Sequence, residues 1–253
     1  MARFIGQGAG DELGPIAAAS ERACSALLET GAHPALGWDV LLAERLPTDG
    51  GCGAALGGRV LFRDASPIID LGGLSWDEYL AGRSPNFRSQ VRRKERKLVR
   101  EHGLRYRLSN DAERLDVDLS ALFELHRARW GKDSSGALEG RRVAFHREFA
   151  ALALQRGWLR LWVAEIGDRP VAVWYGFRFG CADWYYQSGR DPAWDRASLG
   201  LVLLAHTVRE AAADGQRLYR LLRGDEAYKD RFATGDPGLE TVAVARGARG
   251  RLA

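Results

Sequence analysis

Apolar residues recur every third or fourth position in some stretches of this chain and alternate in others, and the two periods predict its elements. Over 111–130, Leu115, Leu119, Leu122, His126 and Trp130 share one helical face, and over 141–156 Phe145, Phe149 and Leu152 align in the same way. Residues 198–214 are apolar almost all round, which predicts a buried helix. Segments 158–166, 170–179 and 181–188 are rich in Trp, Tyr, Val and Phe. They are joined by Gly167-Asp168-Arg169-Pro170 and by Gly180, which predicts a meander of strands. Residues 104–108 and 239–246 read as further strands. In 217–223, Leu218, Leu221 and Leu222 stand among arginines and run into the turn Arg223-Gly224-Asp225-Glu226. A short helix, 225–233, then carries Tyr228 and Lys229. A strand ending in such a turn delivers charges and a phenol to one sheet edge, where ligand chemistry often sits. A capped surface helix explains the same residues.

The first 84 residues give a sparser pattern. Arg3-Phe4-Ile5-Gly6 ends a strand, 15–31 suits a helix, and 37–46 and 59–64 suit strands. Gly50, Gly51, Gly53, Gly57 and Gly58 mark a mobile connection between those strands. So few elements make a poor core, so 1–83 and 84–253 are read as separate parts.

Residues 86–102 predict a helix with Asn86 as N-cap. Phe87, Val91 and Leu98 fall within about 40° of one another, a thin apolar seam. Arg88, Arg92, Arg93, Arg96, Lys97 and Arg100 cover the opposite half. Between 88 and 107 stand nine Lys or Arg against two Glu, a net +7 that exceeds the +4 of the whole chain. The face is either a solvated surface or a dock for an anionic substrate such as tRNA, a nucleotide-linked sugar or an acidic polysaccharide. Duplex nucleic acid is disfavoured, because no groove-reading motif accompanies the charge.

Composition adds limits rather than chemistry. At 46% hydrophobic residues and eight Trp, the chain can bury a sizeable core. Its 33 Arg against 4 Lys, with abundant Ala and Gly, fit a GC-rich coding bias, so an arginine carries weight only where its position is unusual. Cys24, Cys52 and Cys181 are odd in number and widely spaced, which suggests neither a disulfide framework nor a metal site and fits a reducing cytoplasm. The N-terminal MARFIGQGAGDELG lacks a signal-peptide pattern, and no apolar run approaches 18 residues, so no integral membrane segment is expected.

The element order β-α-α-β-β-β-α-β-α-β over 104–246 resembles the GNAT acyltransferase fold, a mixed α/β sheet with helices on both faces. NFRSQVRRKERKL, LFELHRARW, RPVAVWYGF, YYQSGRDP, SLGLVLLAHTVREAAADG and LLRGDEAYKDRF are similar to the second module of bacterial CelD-like proteins. These are GNAT-superfamily proteins linked to cellulose or exopolysaccharide synthesis and related to FemAB-type aminoacyl transferases. The likeness covers about residues 84–246, and 1–83 resemble the tail of a truncated first module and its linker.

The resemblance implies a pantetheine beside strand 181–188, where Gln187 and Ser188 close the strand, and a pyrophosphate at the start of the next helix. There Ser198 would be the N-cap, Leu199, Gly200 and Leu201 would supply amides, and Arg190 and Arg196 would flank the group. It also implies that Tyr228 protonates a leaving thiolate. Glu226 and Asp225 can take the ammonium proton, directly or through water, or can simply cap the helix. Arg223 and Lys229 can hold an anionic substrate, or stand as solvated charges. His126 is either a satisfied buried histidine or part of the substrate site with Trp130. Trp174, Tyr175, Trp184, Tyr185 and Tyr186 either pack the core or stack on sugar rings.

These readings converge on an N-acyltransferase that moves an acyl group, acetyl above all, from an acyl-coenzyme A to an amine, with no metal. The acceptor would be a small amine or an envelope or polysaccharide precursor. Arg196-Ala197-Ser198-Leu199-Gly200-Leu201 keeps the arginine of the coenzyme A signature but not its glycine spacing. That departure leaves room for an aminoacyl-tRNA-dependent, FemAB-like transferase. A degenerate accessory or binding module is the non-enzymatic rival.

Overall fold

The computed structural model describes residues 1–16, 20–30, 37–131 and 136–246. The chain divides into two compact units, Met1–Ile68 with Leu222–Ala253, and Ile69–Leu221.

The first unit is built on a four-stranded sheet of order β1-β2-β10-β3, with β1 (Ala2–Arg3), β2 (Val40–Pro47), β3 (Arg59–Asp64) and β10 (Leu239–Ala245). Strand β10 runs antiparallel to both β2 and β3. The strand expected at 239–246 therefore forms, but not in the sheet of the strands before it. Both its edges are taken by segments from the first 64 residues, and Leu239 and Val242 are buried between them. Helix α1 (Ser20–Thr30) is the described part of the helix expected over 15–31, of which 17–19 and 31 lie outside the described residues.

The glycine-rich connection holds a 3₁₀ turn and helix α2 (Cys52–Leu56), so it is ordered where mobility was expected. Helix α2 packs with α1, and Cys24 and Cys52, both buried, are disulfide-bonded with Cα atoms 5.8 Å apart. That pairing corrects the reading of three unrelated cysteines and removes their argument for a reducing compartment: 28 residues separate the two in sequence, and only the packing of the helices joins them. The bond lies inside the core of Leu41, Ala43, Leu46, Leu56 and Val242. Cys181 is free and exposed.

The second unit carries a six-stranded mixed sheet of order β4-β9-β8-β7-β6-β5. Its strands are β4 (Ile68–Asp70), β5 (Arg105–Leu108), β6 (Leu159–Ile166), β7 (Arg169–Phe179), β8 (Ala182–Arg190) and β9 (Leu218–Arg220). The meander β6-β7-β8 is antiparallel as its turns imply, and β8 pairs β9 in parallel. Helices α5 (Ala112–Trp130) and α6 (Arg141–Gln155) cover one face, where Leu115, Leu119, Leu122, Phe123, Ala150 and Ala153 meet Leu161, Val163, Val173 and Tyr175. On the other face Trp162 of β6 lies edge-on, 4.6 Å from His206 of α7 (Leu199–Ala213). Helix α7 is buried nearly all round, as its composition predicts.

Helix α3 (Trp76–Ala81) has no counterpart in the sequence reading, although Ser75 and Glu78 form a capping box that announces it. The basic helix α4 (Pro85–His102) starts one residue earlier than expected, with Ser84 rather than Asn86 as N-cap, because Pro85 suits the first helical turn and Ser84 Oγ accepts Phe87 N–H at 3.3 Å. Its seam of Phe87, Val91 and Leu98 is buried. Glu95 leaves that helix to pair with Arg209 of α7 at 3.0 Å, inside a network with Tyr106 and His206. Among the described residues no helix is long and apolar enough to cross a membrane.

Candidate functional site

Strand β8 is the pivot of the second unit. Its ladder with β9 is confined to Ala182–Trp184, so Tyr185–Arg190 run on past the end of that strand. On its other side the pairing with β7 slips: Tyr175 faces Gln187 while Gly176 faces Tyr185, so Tyr186 is one residue too many. In a regular strand residues three apart point to opposite faces. The bulge reverses that parity and puts Tyr185 and Ser188 on one face, with the Tyr185 hydroxyl 2.6 Å from Ser188 Oγ. It is the face of α7: Ser188 is the ladder partner of Trp174, and Trp174 stacks on Tyr185 with centroids 5.5 Å apart.

Gly189 fixes what lies on the opposite side. A Cβ there would stand 2.4 Å from the His126 amide nitrogen and 2.7 Å from the Leu125 carbonyl carbon, so glycine alone lets α5 cross β8 this closely. The crossing sets His126, Arg129 and Trp130 against the strand end. Arg129 Nη1 donates to Ser188 Oγ at 3.3 Å, and its guanidinium lies 4.3 Å from the centroid of the Trp130 ring. His126 is buried, and burial lowers its pKa although a hydrogen bond with Gln187 opposes the shift. The imidazole is therefore neutral at neutral pH.

Ser198 holds the N-cap position of α7 as expected, but in the left-handed region, at φ 62°, and its side chain caps nothing. A 3₁₀ turn, Pro192–Ala197, runs straight into it, and reversing between two helical segments in one residue demands that conformation. Leu199, Gly200 and Leu201 supply first-turn amides with no acceptor inside the helix. Arg190 lies along Gly200 and pairs with Asp195 at 2.6 Å, while Arg196 is exposed. An anionic group fits this helix start, since its free amides and the helix dipole both favour negative charge. Among the described residues no cluster of His, Cys, Asp or Glu could hold a metal ion.

The remaining expected residues fall elsewhere. Arg92, Arg93 and Arg96 are exposed on α4; Arg92 pairs with Asp77 at 3.1 Å, and Arg96 Nε donates to the Arg92 carbonyl. Arg223, Asp225, Glu226, Tyr228 and Lys229 belong to the first unit. Lys229, on helix α8 (Ala227–Phe232), is buried, and its ammonium donates to the carbonyls of Arg223 at 2.7 Å and Leu222 at 3.3 Å and pairs with Glu226 at 2.9 Å. Gly224, at φ 130°, lets the turn close over that pair, since a Cβ there would stand 2.3 Å from the Glu226 carboxylate. Asp11 lies in the same charged cluster, its carboxyl pKa raised by burial against the pull of Arg223, Arg45 and Lys229. Asp225 and Arg223 are exposed and Tyr228 is half-buried.

Arg129, Gly189 and Asp11 escaped the sequence reading, which places Tyr185 only among the aromatics that pack the core or stack on sugar rings. Gly189 was the available signal, a glycine inside a strand of bulky residues, which marks a bulge or a close backbone approach.

A family model described as an acetyltransferase (GNAT) domain matches residues 85–230. Among solved structures, the C-terminal domain (DUF2156) of a putative lysylphosphatidylglycerol synthetase from Agrobacterium fabrum is similar at TM-score 0.63 and 13% identity, over 92% of this chain and 75% of that one. FemX is similar at TM-score 0.60 and 13% identity, over 90% and 76%. L-PGS from Bacillus licheniformis is similar at TM-score 0.55 and 10% identity, over 83% and 69%. At these identities the likeness shows the fold alone. No curated protein matches the chain at a significant level.

Proposed function

The chain belongs to the GNAT acetyltransferase family, and from that membership we propose that it transfers an acyl group, acetyl first, from an acyl-coenzyme A to an amine. The observation that carries the reading is the strand end of β8, bulged at Tyr186 and extended past β9, on the sheet face that also holds α7. A bound acyl-coenzyme A supplies the thioester carbonyl that the amine attacks. Residues of this chain supply the rest. The first-turn amides of α7 with Arg196 hold an anionic group. Arg129 can only donate, so Ser188 Oγ receives its N–H; the Ser188–Tyr185 bond can run in either sense, and in the proposed one Ser188 donates its own hydrogen to the Tyr185 oxygen. The Tyr185 hydrogen is then free for an atom that gains negative charge as the C–N bond forms and the C–S bond breaks. The roles that the resemblance gives Tyr228, Glu226 and Asp225 in moving protons belong to the same proposal, as does an acceptor among small amines or envelope and polysaccharide precursors in the cytoplasm.

The test combines binding and turnover. Acetyl-coenzyme A should raise the melting temperature, because a ligand that binds only the native state stabilises it. An amine panel should then release free thiol. A second reading, transfer from an aminoacyl-tRNA, is favoured by the exposed arginines of α4. No shift at millimolar acetyl-coenzyme A, together with a shift from tRNA, would decide for it. Shifts from neither would leave an accessory module.

A further inference from the structure

A cleft of about 280 Å³ separates α4 from the 3₁₀ turn Pro192–Ala197. Lys94, Lys97, Leu98 and His102 line it from the helix, and Trp194 and Arg196 line it from the turn. The helical positions lie three, four and eight residues apart, so they share one face. This is a different set of cations from Arg92, Arg93 and Arg96. None of the lining residues is acidic.

The walls are built before any ligand arrives. Lys94 Nζ donates to the Arg196 carbonyl at 3.0 Å, which ties the turn to the helix. The turn is held from behind by the Arg190–Asp195 pair at 2.6 Å and by Asp191, which accepts the Ala193 N–H at 2.9 Å. Leu98, 1% exposed, closes the floor. Trp194 meets the His102 ring edge-to-face with centroids 4.9 Å apart, so the indole is held in place without being fully covered.

Three cations, of which Lys97 also pairs with Glu101 at 3.7 Å, stand around an apolar floor and an indole and suit one kind of ligand: a phosphate joined to a planar ring. Lysine and arginine attract the phosphate, and the ring stacks on tryptophan. The volume decides the size, since it lies at the small end of ligand pockets and holds one such unit rather than a duplex. We propose that this cleft binds a single nucleotide unit, with its phosphate among Lys94, Lys97 and Arg196 and its base against Trp194. The cleft shares Arg196 with the acyl-transfer reading, so its test rests on Lys94, Lys97 and Trp194, which that reading does not use. The unit can be a free mononucleotide or one residue of a single-stranded RNA; the chemistry is shared.

Calorimetric titration of the full chain with AMP, a single-stranded RNA tetranucleotide and inorganic phosphate tests this. Both nucleotide probes should bind more tightly than phosphate. Lys94→Gln with Lys97→Gln should weaken them at least about tenfold and flatten the salt dependence of binding, since fewer counterions are released. Trp194→Ala should weaken the nucleotides and leave phosphate unchanged. Stronger binding of AMP than of the tetranucleotide, measured per site, assigns the cleft to a small molecule, and the reverse assigns it to RNA. Nucleotides that bind no better than phosphate, or a lysine double variant that binds as the wild type does, would overturn the proposal. Lys97 is exposed and its ion pair with Glu101 lies within its own helix, so Lys97→Gln alone keeps the fold and reports even if the variants at Lys94 and Trp194 do not.

Discussion

On one face of the six-stranded sheet, Val173 and Tyr175 sit against α5 and α6; on the other, the residue between them, Trp174, sits against Tyr185 and Tyr219. Tyr175 and Trp174 are both buried, yet their polar atoms fare differently. The Tyr175 hydroxyl lies 3.5 Å from His146 Nδ1, and His146 Nε2 lies 3.1 Å from the Ala137 carbonyl. Trp174 Nε1 and His206 Nε2, on the α7 face, find no hydrogen-bond partner among the described residues. An unpaired buried polar atom costs stability. The first face is thus filled for stability, and the second keeps polar groups and a bulged strand at some cost. A site that must exchange hydrogen bonds with a ligand needs groups of that second kind.

The comparison is broken most sharply by removing apolar volume from the first face. Leu122→Ala empties a fully buried position and should cost about 2–5 kcal/mol in urea unfolding, with turnover per folded molecule little changed. A loss below about 1 kcal/mol would show that α5 is loosely packed. The converse change is Tyr185→Phe on the second face. It should lower kcat about 10²- to 10³-fold, the cost of one lost donor to developing charge, while the melting temperature barely moves. Unchanged turnover would remove Tyr185 from the chemistry and leave Tyr228 as the proton donor to examine.

Acid should sharpen the contrast further. Burial pushes His206 down to about 3, with Arg209 adding to the shift, and burial lowers His126 and His146 too. In the unfolded chain each imidazole takes up its proton near pH 6.5. The unfolded state then binds more protons, so stability is intact above pH 6.5 and is lost as pH falls towards 3. His206→Gln should flatten part of that loss in a pH series of denaturation midpoints; an identical slope would mean that other groups govern it.

The smallest effect on stability is expected far from both faces. Replacing Arg92, Arg93 and Arg96 with Gln should change stability by no more than about 0.5 kcal/mol, because all three are exposed and the seam of Phe87, Val91 and Leu98 remains. The same variant should bind polyanions more weakly and with a shallower salt slope. Equal slopes would show that the helix is a solvated face.

Much of the second unit was legible because its periods are strong and local. The meander, the amphipathic α5 and the buried α7 follow from side-chain spacing, and their bounds lie within a few residues of those expected. Where local chemistry offered two answers, the structure chose: Pro85 moved the cap of α4 to Ser84, and Ser198 took the left-handed region. The capping box at Ser75 was a local signal that went unread.

What the sequence by itself determined about this protein is the type and order of its main elements, the basic face of α4 and the family resemblance, all of which depend on residues near one another in the chain. Only the tertiary structure decided which strands share a sheet, that Cys24 meets Cys52, and that β10 is claimed by β2 and β3. It also decided that the bulge at Tyr186 turns Tyr185 towards Ser188 while Gly189 admits α5, and that Lys229 is used up inside its own turn. Those outcomes depend on pairing and close approach between segments far apart in sequence. Hydrophobic period fixes which face of an element is buried, but it carries no information about which partner covers that face.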